Sequence, residues 1–324
     1  MPGPLPTVQS VMTVLYPLAI LCILVIPVFI ALVAYLQPRW IISYASRCFP
    51  QVLFCCEDGV RQTKSSRHAD KVIALTIDDS PSPLTAAILT LLRQHDAKAT
   101  FFVIGSYVEK FNTLTGEGSA SELESGSFND LMTAIVSHGC ELGNHLMFDH
   151  ASVKLPPAIF EKQLLQVDTL LRKYDNIALS PPRRRKSVAV DSTLPSGDLQ
   201  SLPAPTADAS RSEPIQLETP VKYRWFRPGS GWFNAAMLAA VEKHGYRTAL
   251  GCVYPHDPHI SNARLNAWHV LRGVHPGAII VLHDCRSWTI DTLKILLPEL
   301  RKRGYTVRTL TEVYRSRGVN DGSI

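Results

Sequence analysis

Between Lys71 and Tyr314, short apolar runs alternate with stretches of helical periodicity, and several of those runs stop abruptly at titratable side chains. Val72 to Ile77, Ala99 to Ile104, Lys222 to Phe226, Arg247 to Cys252, Ala278 to Leu282 and Tyr305 to Leu310 read as strands, and Cys140 to Gly143 as a shorter one. Leu84 to Gln94, Asp130 to Ser137, Pro157 to Tyr174, Ala235 to His244 and Thr289 to Arg303 read as helices, with Gly245 and Gly304 as stops. This alternation predicts an α/β fold, a parallel sheet with helices outside it. About seven strands suit a distorted (β/α) barrel, where active sites are built at the carboxyl ends of the strands.

Those ends carry the chemistry. Ala74-Leu75-Thr76-Ile77-Asp78-Asp79-Ser80-Pro81 closes an apolar strand with two adjacent carboxylates and a turn. One acid of such a pair can bind a metal while the other takes a proton; read alone, the stretch is equally a solvated turn. Gly143-Asn144-His145-Leu146-Met147-Phe148-Asp149-His150 offers His145, Asp149 and His150 as metal donors. Phe226-Arg227-Pro228-Gly229-Ser230-Gly231-Trp232 sets one arginine in a Gly/Pro loop, and Ile279-Ile280-Val281-Leu282-His283-Asp284 is a second apolar strand ending in titratable groups.

In this order, the four motifs resemble the polysaccharide deacetylases with a NodB homology domain (carbohydrate esterase family four), from about Lys71 to about Tyr314. The resemblance implies a distorted barrel that hydrolyses N-acetyl groups of a glycan with one divalent metal ion, zinc or another transition metal. It makes Asp78 the base and Asp79 a metal ligand. Family members carry two histidines four residues apart; here Asp149 stands four after His145 and His150 comes one late. The expected ligands are Asp79, His145 and Asp149, with His150 the alternative to Asp149. Arg227 is expected to pair with Asp78, and His283 to be the general acid, oriented by Asp257. The usual Arg-Pro-Pro-Tyr-Gly reads Arg227-Pro228-Gly229-Ser230-Gly231, so the tyrosine whose amide helps bind the oxyanion is missing and loop amides are left to serve. Trp232 is either a sugar-stacking wall or a core residue, and Leu282 is expected to line the acetyl pocket. An N-acetylglucosamine polymer such as chitin is the leading substrate. A non-catalytic glycan-binding or scaffold protein, or an O-acetyl esterase, remains open on the same fold.

The amino-terminal part reads differently. No charged residue precedes Arg39, and Val11 to Leu36 is almost wholly apolar. About 20 such residues cross a bilayer as a helix, and the run is too long for a signal-peptide core and lacks a basic leader. Residues 1–37 are therefore expected to be a single transmembrane anchor in contact with membrane lipid, kinked by Pro17 and Pro27, and 38–70 a juxtamembrane stalk. Basic residues after the run favour a cytoplasmic domain, whereas a cell-wall glycan lies outside; the orientation stays open. The resemblance implies that residues 71–315 form the deacetylase domain, with 316–324 expected to be a tail. The Gly/Ser/Glu-rich stretch 113–127 and the Pro-rich stretch 176–221 read as disordered insertions. The basic run Arg183-Arg184-Arg185-Lys186 has no interleaved aromatics, which argues against nucleic acid as a partner.

Overall fold

The computed structural model describes residues 13, 16, 20–56, 71–116, 128–175 and 223–317. The expected insertion at 176–221 and most of that at 113–127 lie outside the described residues, as do 57–70 and 318–324. Eight strands are described: β1 (Val52–Leu53), β2 (Val72–Ser80), β3 (Thr100–Val103), β4 (Glu141–Asn144), β5 (Trp225–Phe226), β6 (Arg247–Ala249), β7 (Ile279–His283) and β8 (Thr306–Arg308). They pair in parallel in the order β1-β6-β5-β4-β3-β2-β7, with β8 also on β2. The sheet curls into a half-barrel. Its open side is bridged by the chain just after β6: Cys252 N–H donates to the Ile279 carbonyl at 3.0 Å, and Val281 N–H to Val253 at 3.0 Å.

Side chains alternate across this curved sheet, because successive residues of a strand point to opposite faces. Ile73, Leu75 and Ile77 of β2 pack with Ile280 and Leu282 of β7 against Ile88 and Leu92 of helix Thr85–Gln94 and Leu293, Leu296 and Leu297 of helix Ser287–Lys302. The other face collects Ala74, Phe102, Trp225, Ala249 and Ile279, one residue from each of five strands. Thr76 and Asp78 continue the Ala74 face. The concave side of the barrel is thus apolar at its base and polar at the carboxyl ends of its strands.

Four described helices were not legible as such. Arg39–Cys48 lies in the stretch read as stalk, and β1, directly after it, joins the sheet. Gly105–Gly116 runs into the first expected insertion. Ala263–Gly273 buries Asn266, Ala267, His269 and Val270, a helical spacing hidden because two of its four inward positions are polar. Leu310–Ser316 begins where a strand was expected to end, nucleated by a capping box between Thr309 and Glu312.

The apolar amino-terminal run is not one straight helix. A π-helical turn, Leu21–Val25, leads into helix Ile26–Leu36. Pro27 has no N–H to give to the turn before it, and a wider turn is a common accommodation. Gln37 takes a left-handed conformation (φ 46°), Pro38 follows, and helix Arg39–Cys48 departs at 76°. Among the described residues no single helix is long and apolar enough to cross a membrane; the bent pair passes that test by length and composition only together.

Candidate active site

Asp78 and Asp79 end β2, and the backbone turns there: Asp79 has φ 59°. The turn lets two neighbours on a strand share one cavity. Asp284 holds it in place. Its buried carboxylate accepts from Ser80 Oγ (3.2 Å), Ser82 Oγ (2.5 Å), Thr85 Oγ1 and the Cys285 amide (2.8 Å), while its own N–H donates to the Asp78 carbonyl (2.8 Å). Replacing Asp284 by Ala would strand three hydroxyls beneath the Asp78–Asp79 turn. Asp284→Ala is expected to lower unfolding stability by about 2–4 kcal/mol, taking about 1–3 kcal/mol for each buried group left without a partner and allowing for relaxation. Chemical denaturation measures this, and an unchanged midpoint would remove Asp284 from this role.

Arg227 lies wholly inside. It stacks on Phe102, with the guanidinium carbon 4.2 Å from the ring centroid. Its Nη1 donates to Asp78 Oδ1 at 2.6 Å and to Thr76 Oγ1 at 2.7 Å, and its Nε to the Ala249 carbonyl at 2.9 Å. Burial pulls its pKa below the usual arginine value against the opposing pull of Asp78. His283 ends β7 in register with Asp78. Its ring Nδ1 lies 3.0 Å from Asp257 Oδ1, its backbone N–H donates to Oδ2 at 2.8 Å, and its Nε2 is 4.0 Å from Asp78 Oδ2. Burial favours the neutral ring, but the Asp257 carboxylate and then Asp78 outweigh it, and the His283 pKa is raised. Trp288 Nε1 donates to the Asp257 carbonyl at 2.9 Å and fixes that loop.

His145 Nδ1 meets the carbonyl of Arg227 at 2.7 Å, and its Nε2 faces Asp79 Oδ1 at 3.6 Å. A proton on Nδ1, given to that carbonyl, leaves the Nε2 lone pair turned toward Asp79, the usual posture of a metal-binding histidine. Burial raises the Asp79 pKa, against the lowering effect of His145. The third expected donor stands apart. Asp149 is exposed and has Tyr107 Oη at 3.5 Å, and among the described residues no three His, Cys, Asp or Glu side chains converge closely enough to hold an ion. His150 turns its Nδ1 to the Phe148 carbonyl at 2.7 Å. Its own carbonyl presses on the arginine loop, since a Cβ at Gly229 would sit 2.1 Å from it.

Leu282 needs correction as a pocket residue. It is fully buried on the helix-facing side of β7, because His283 points into the cavity and its neighbour must point away. Trp232 is 70% exposed and so not a core residue, whereas Phe233 is half-buried and meets Phe49 edge-on at 5.1 Å. Within the arginine loop the Gly229 amide donates to Ser152 Oγ (2.7 Å) and the Gly231 amide to Pro228 O (3.1 Å), so neither is directed at a substrate oxygen. Sequence reasoning gave no role to Arg286, whose Nη2 is 3.5 Å from Asp79 Oδ2, or to Asp284; they stand three residues and one residue after His283.

Residues 65–187 match the family model for polysaccharide deacetylase. The chain carries a polysaccharide deacetylase domain. It is 26% identical over 252 residues, 76% of this chain and 89% of the relative, to a peptidoglycan-N-acetylglucosamine deacetylase of Bacillus cereus. It is 26% identical over 271 residues, 79% and 96% of the two chains, to a chitooligosaccharide deacetylase of a Bradyrhizobium species. The fold matches the solved structure of the Bc1960 peptidoglycan N-acetylglucosamine deacetylase (TM-score 0.55, 19% identity, 82% and 93% covered). It also matches a CE4 family pseudoenzyme from Bacillus anthracis (TM-score 0.53, 22% identity, 76% and 66% covered). The family-model match to this deacetylase domain takes in Asp78, Asp79, His145 and Asp149, and stops before Arg227, Asp257 and His283, which the barrel returns to the same cavity.

Proposed function

We propose that this protein is a membrane-bound, metal-dependent hydrolase that removes N-acetyl groups from an N-acetylglucosamine polymer. The observation that carries the reading is Asp78, held at one oxygen by buried Arg227 and facing at the other a histidine braced by Asp257. Amide hydrolysis needs a base for water and an acid for the departing amine. Asp78 Oδ2 is free of the arginine and positioned to take the proton of water. His283, protonated at both ring nitrogens, keeps its Nδ1 proton on Asp257 and gives the Nε2 proton to the amine. Acetate and the free amino sugar leave.

Asp79 and His145 fit a divalent ion by donor chemistry, a carboxylate and an imidazole lone pair turned toward each other, with Asp149 the further donor on the same loop. Such an ion, when bound, polarises the carbonyl and activates the water. Because burial favours protonated Asp79, metal binding should weaken as pH falls, which metal titration by calorimetry would register.

Exposed Asp149 also supports a second reading, a glycan-binding protein whose site does not close on a metal. Acetate release from N-acetylglucosamine oligomers, with metal content measured on the same sample, separates the two. Release that depends on a divalent ion supports the enzyme. Oligomer binding without release under every metal tried leaves the binding protein.

The pH dependence gives a sharper check. His283 acts protonated, so turnover should fall as pH rises through its raised pKa. Asp257→Asn removes the carboxylate that raises it, and the alkaline limb of kcat/KM should move to lower pH. An unmoved limb would show that another group supplies the proton.

The amino-terminal run supports membrane attachment. Ile23, Leu24, Val28, Phe29, Ile30 and Leu32 are all exposed, leaving an apolar surface on several sides of one helix. Such a surface is stable in lipid and costly in water.

A further inference from the structure

The bend between helices Ile26–Leu36 and Arg39–Cys48 does more than turn the chain. With the barrel it encloses a cavity of about 220 Å³, lined on the helix side by Leu36, Arg39 and Ile42 and on the barrel side by His269, Arg272 and His275. No acidic side chain among the described residues lines it. The positive charge around this small space is that of Arg39 and Arg272, since burial, then His256 and Arg272, push the His269 pKa down to about 4 and leave its ring neutral; two arginines with no facing acid favour an anion. Within it, His269 is 4% exposed and its Nδ1 has no hydrogen-bond partner. In the neutral tautomer that carries its proton on Nδ1, this nitrogen is a donor without a partner.

The second helix supplies independent evidence of where the cavity faces. Ile41, Ile42, Ala45 and Ser46 are half-buried, while Trp40, Tyr44 and Arg47 are exposed, the two rings at 65% and 68%. Exposed residues at i, i+4 and i+7 share one face of a helix, and a face of tryptophan, tyrosine and arginine is the composition of a helix lying in the head-group layer. The 76° bend takes the chain from an apolar segment into that helix; with the apolar segment in lipid, as proposed above, the cavity would stand at head-group depth. Its volume is below the roughly 300–1,000 Å³ of drug-sized ligand sites and suits a small charged group.

We propose that this elbow cavity binds the phosphate of an anionic membrane phospholipid, gripped by Arg272 of the barrel. The proposal rests on the membrane reading above. Its effect would be to seat the barrel on the bilayer at one fixed point. A free phosphate ion has the same chemistry, so the test must separate the sources.

The full chain would be reconstituted in nanodiscs of phosphatidylcholine alone, or mixed with phosphatidylglycerol, and retained lipid counted by native mass spectrometry. Wild type should enrich phosphatidylglycerol over the disc composition. Arg272→Gln should lose about fivefold of that enrichment, the equivalent of about 1 kcal/mol per basic residue at a membrane surface. Arg272→Lys should keep part of it, and melting in pure phosphatidylcholine reports whether either variant has lost its fold. Equal enrichment by wild type and a folded Arg272→Gln would overturn the site. So would inorganic phosphate raising the wild-type Tm in phosphatidylcholine discs as much as phosphatidylglycerol does. A chain that stays out of the discs defeats the membrane reading and the site with it; one that enters without preference defeats only the site.

Discussion

Asp78→Asn should reduce acetate release by about 10²–10⁴-fold, the usual contribution of a positioned acid or base. The amide keeps the carboxylate's shape and can still accept from Arg227 through one oxygen, a bond of 2.6 Å in the native pair. What it loses is proton affinity at the atom facing His283, 4.0 Å away. Metal content and oligomer affinity should stay close to native, because Asp79 and His145 meet on the far side of the same turn. Equal turnover by the variant and wild type would sink the mechanism. A matching loss of metal would move Asp78 from base to ligand.

Arg227→Ala is expected to fail in two ways at once. It leaves the 3%-exposed Asp78 as a buried charge without its hydrogen-bonded guanidinium, and removing one member of a buried pair costs about 3–5 kcal/mol. The Phe102 ring and the Ala249 carbonyl lose their cover as well. For a domain of this size the cost corresponds to a Tm lower by about 10 °C. Activity should fall with it even where the variant is still folded, because Asp78 is no longer held in place. Arg227→Lys tests the geometry: lysine carries the charge but cannot stack on Phe102 and reach Asp78, Thr76 and Ala249 together. A lysine variant with native stability and turnover would reduce the role of Arg227 to bare charge.

How the site assembles explains which parts were readable. The strand ends at Asp78, His145, Arg227 and His283 were legible, because each is a local switch from an apolar run to titratable residues. The pairing of Asp257 with His283 was available only through the family resemblance, since 26 residues separate them and no pattern links them. Leu282 was misplaced for a reason of period alone: beside His283 in sequence, it faces the opposite side of the sheet. Asp284 stood in the same motif, but its work depends on Ser80, Ser82 and Thr85, which lie some 200 positions earlier. Helix Ala263–Gly273 escaped notice because its inward Asn266 and His269 break the apolar stripe.

By itself the sequence determined the parallel α/β alternation, the carboxyl-end placement of the reactive groups and the apolar character of the amino-terminal run, because all three are written in local periodicity and composition. Tertiary structure alone decided which carboxylate is clamped by Arg227, that Asp149 is exposed while Asp79 and His145 face each other, and that the apolar run bends at Gln37 against the barrel. Those outcomes depend on groups from distant strands competing for the same few ångströms, and on the burial that sets the cost of leaving any of them unpaired.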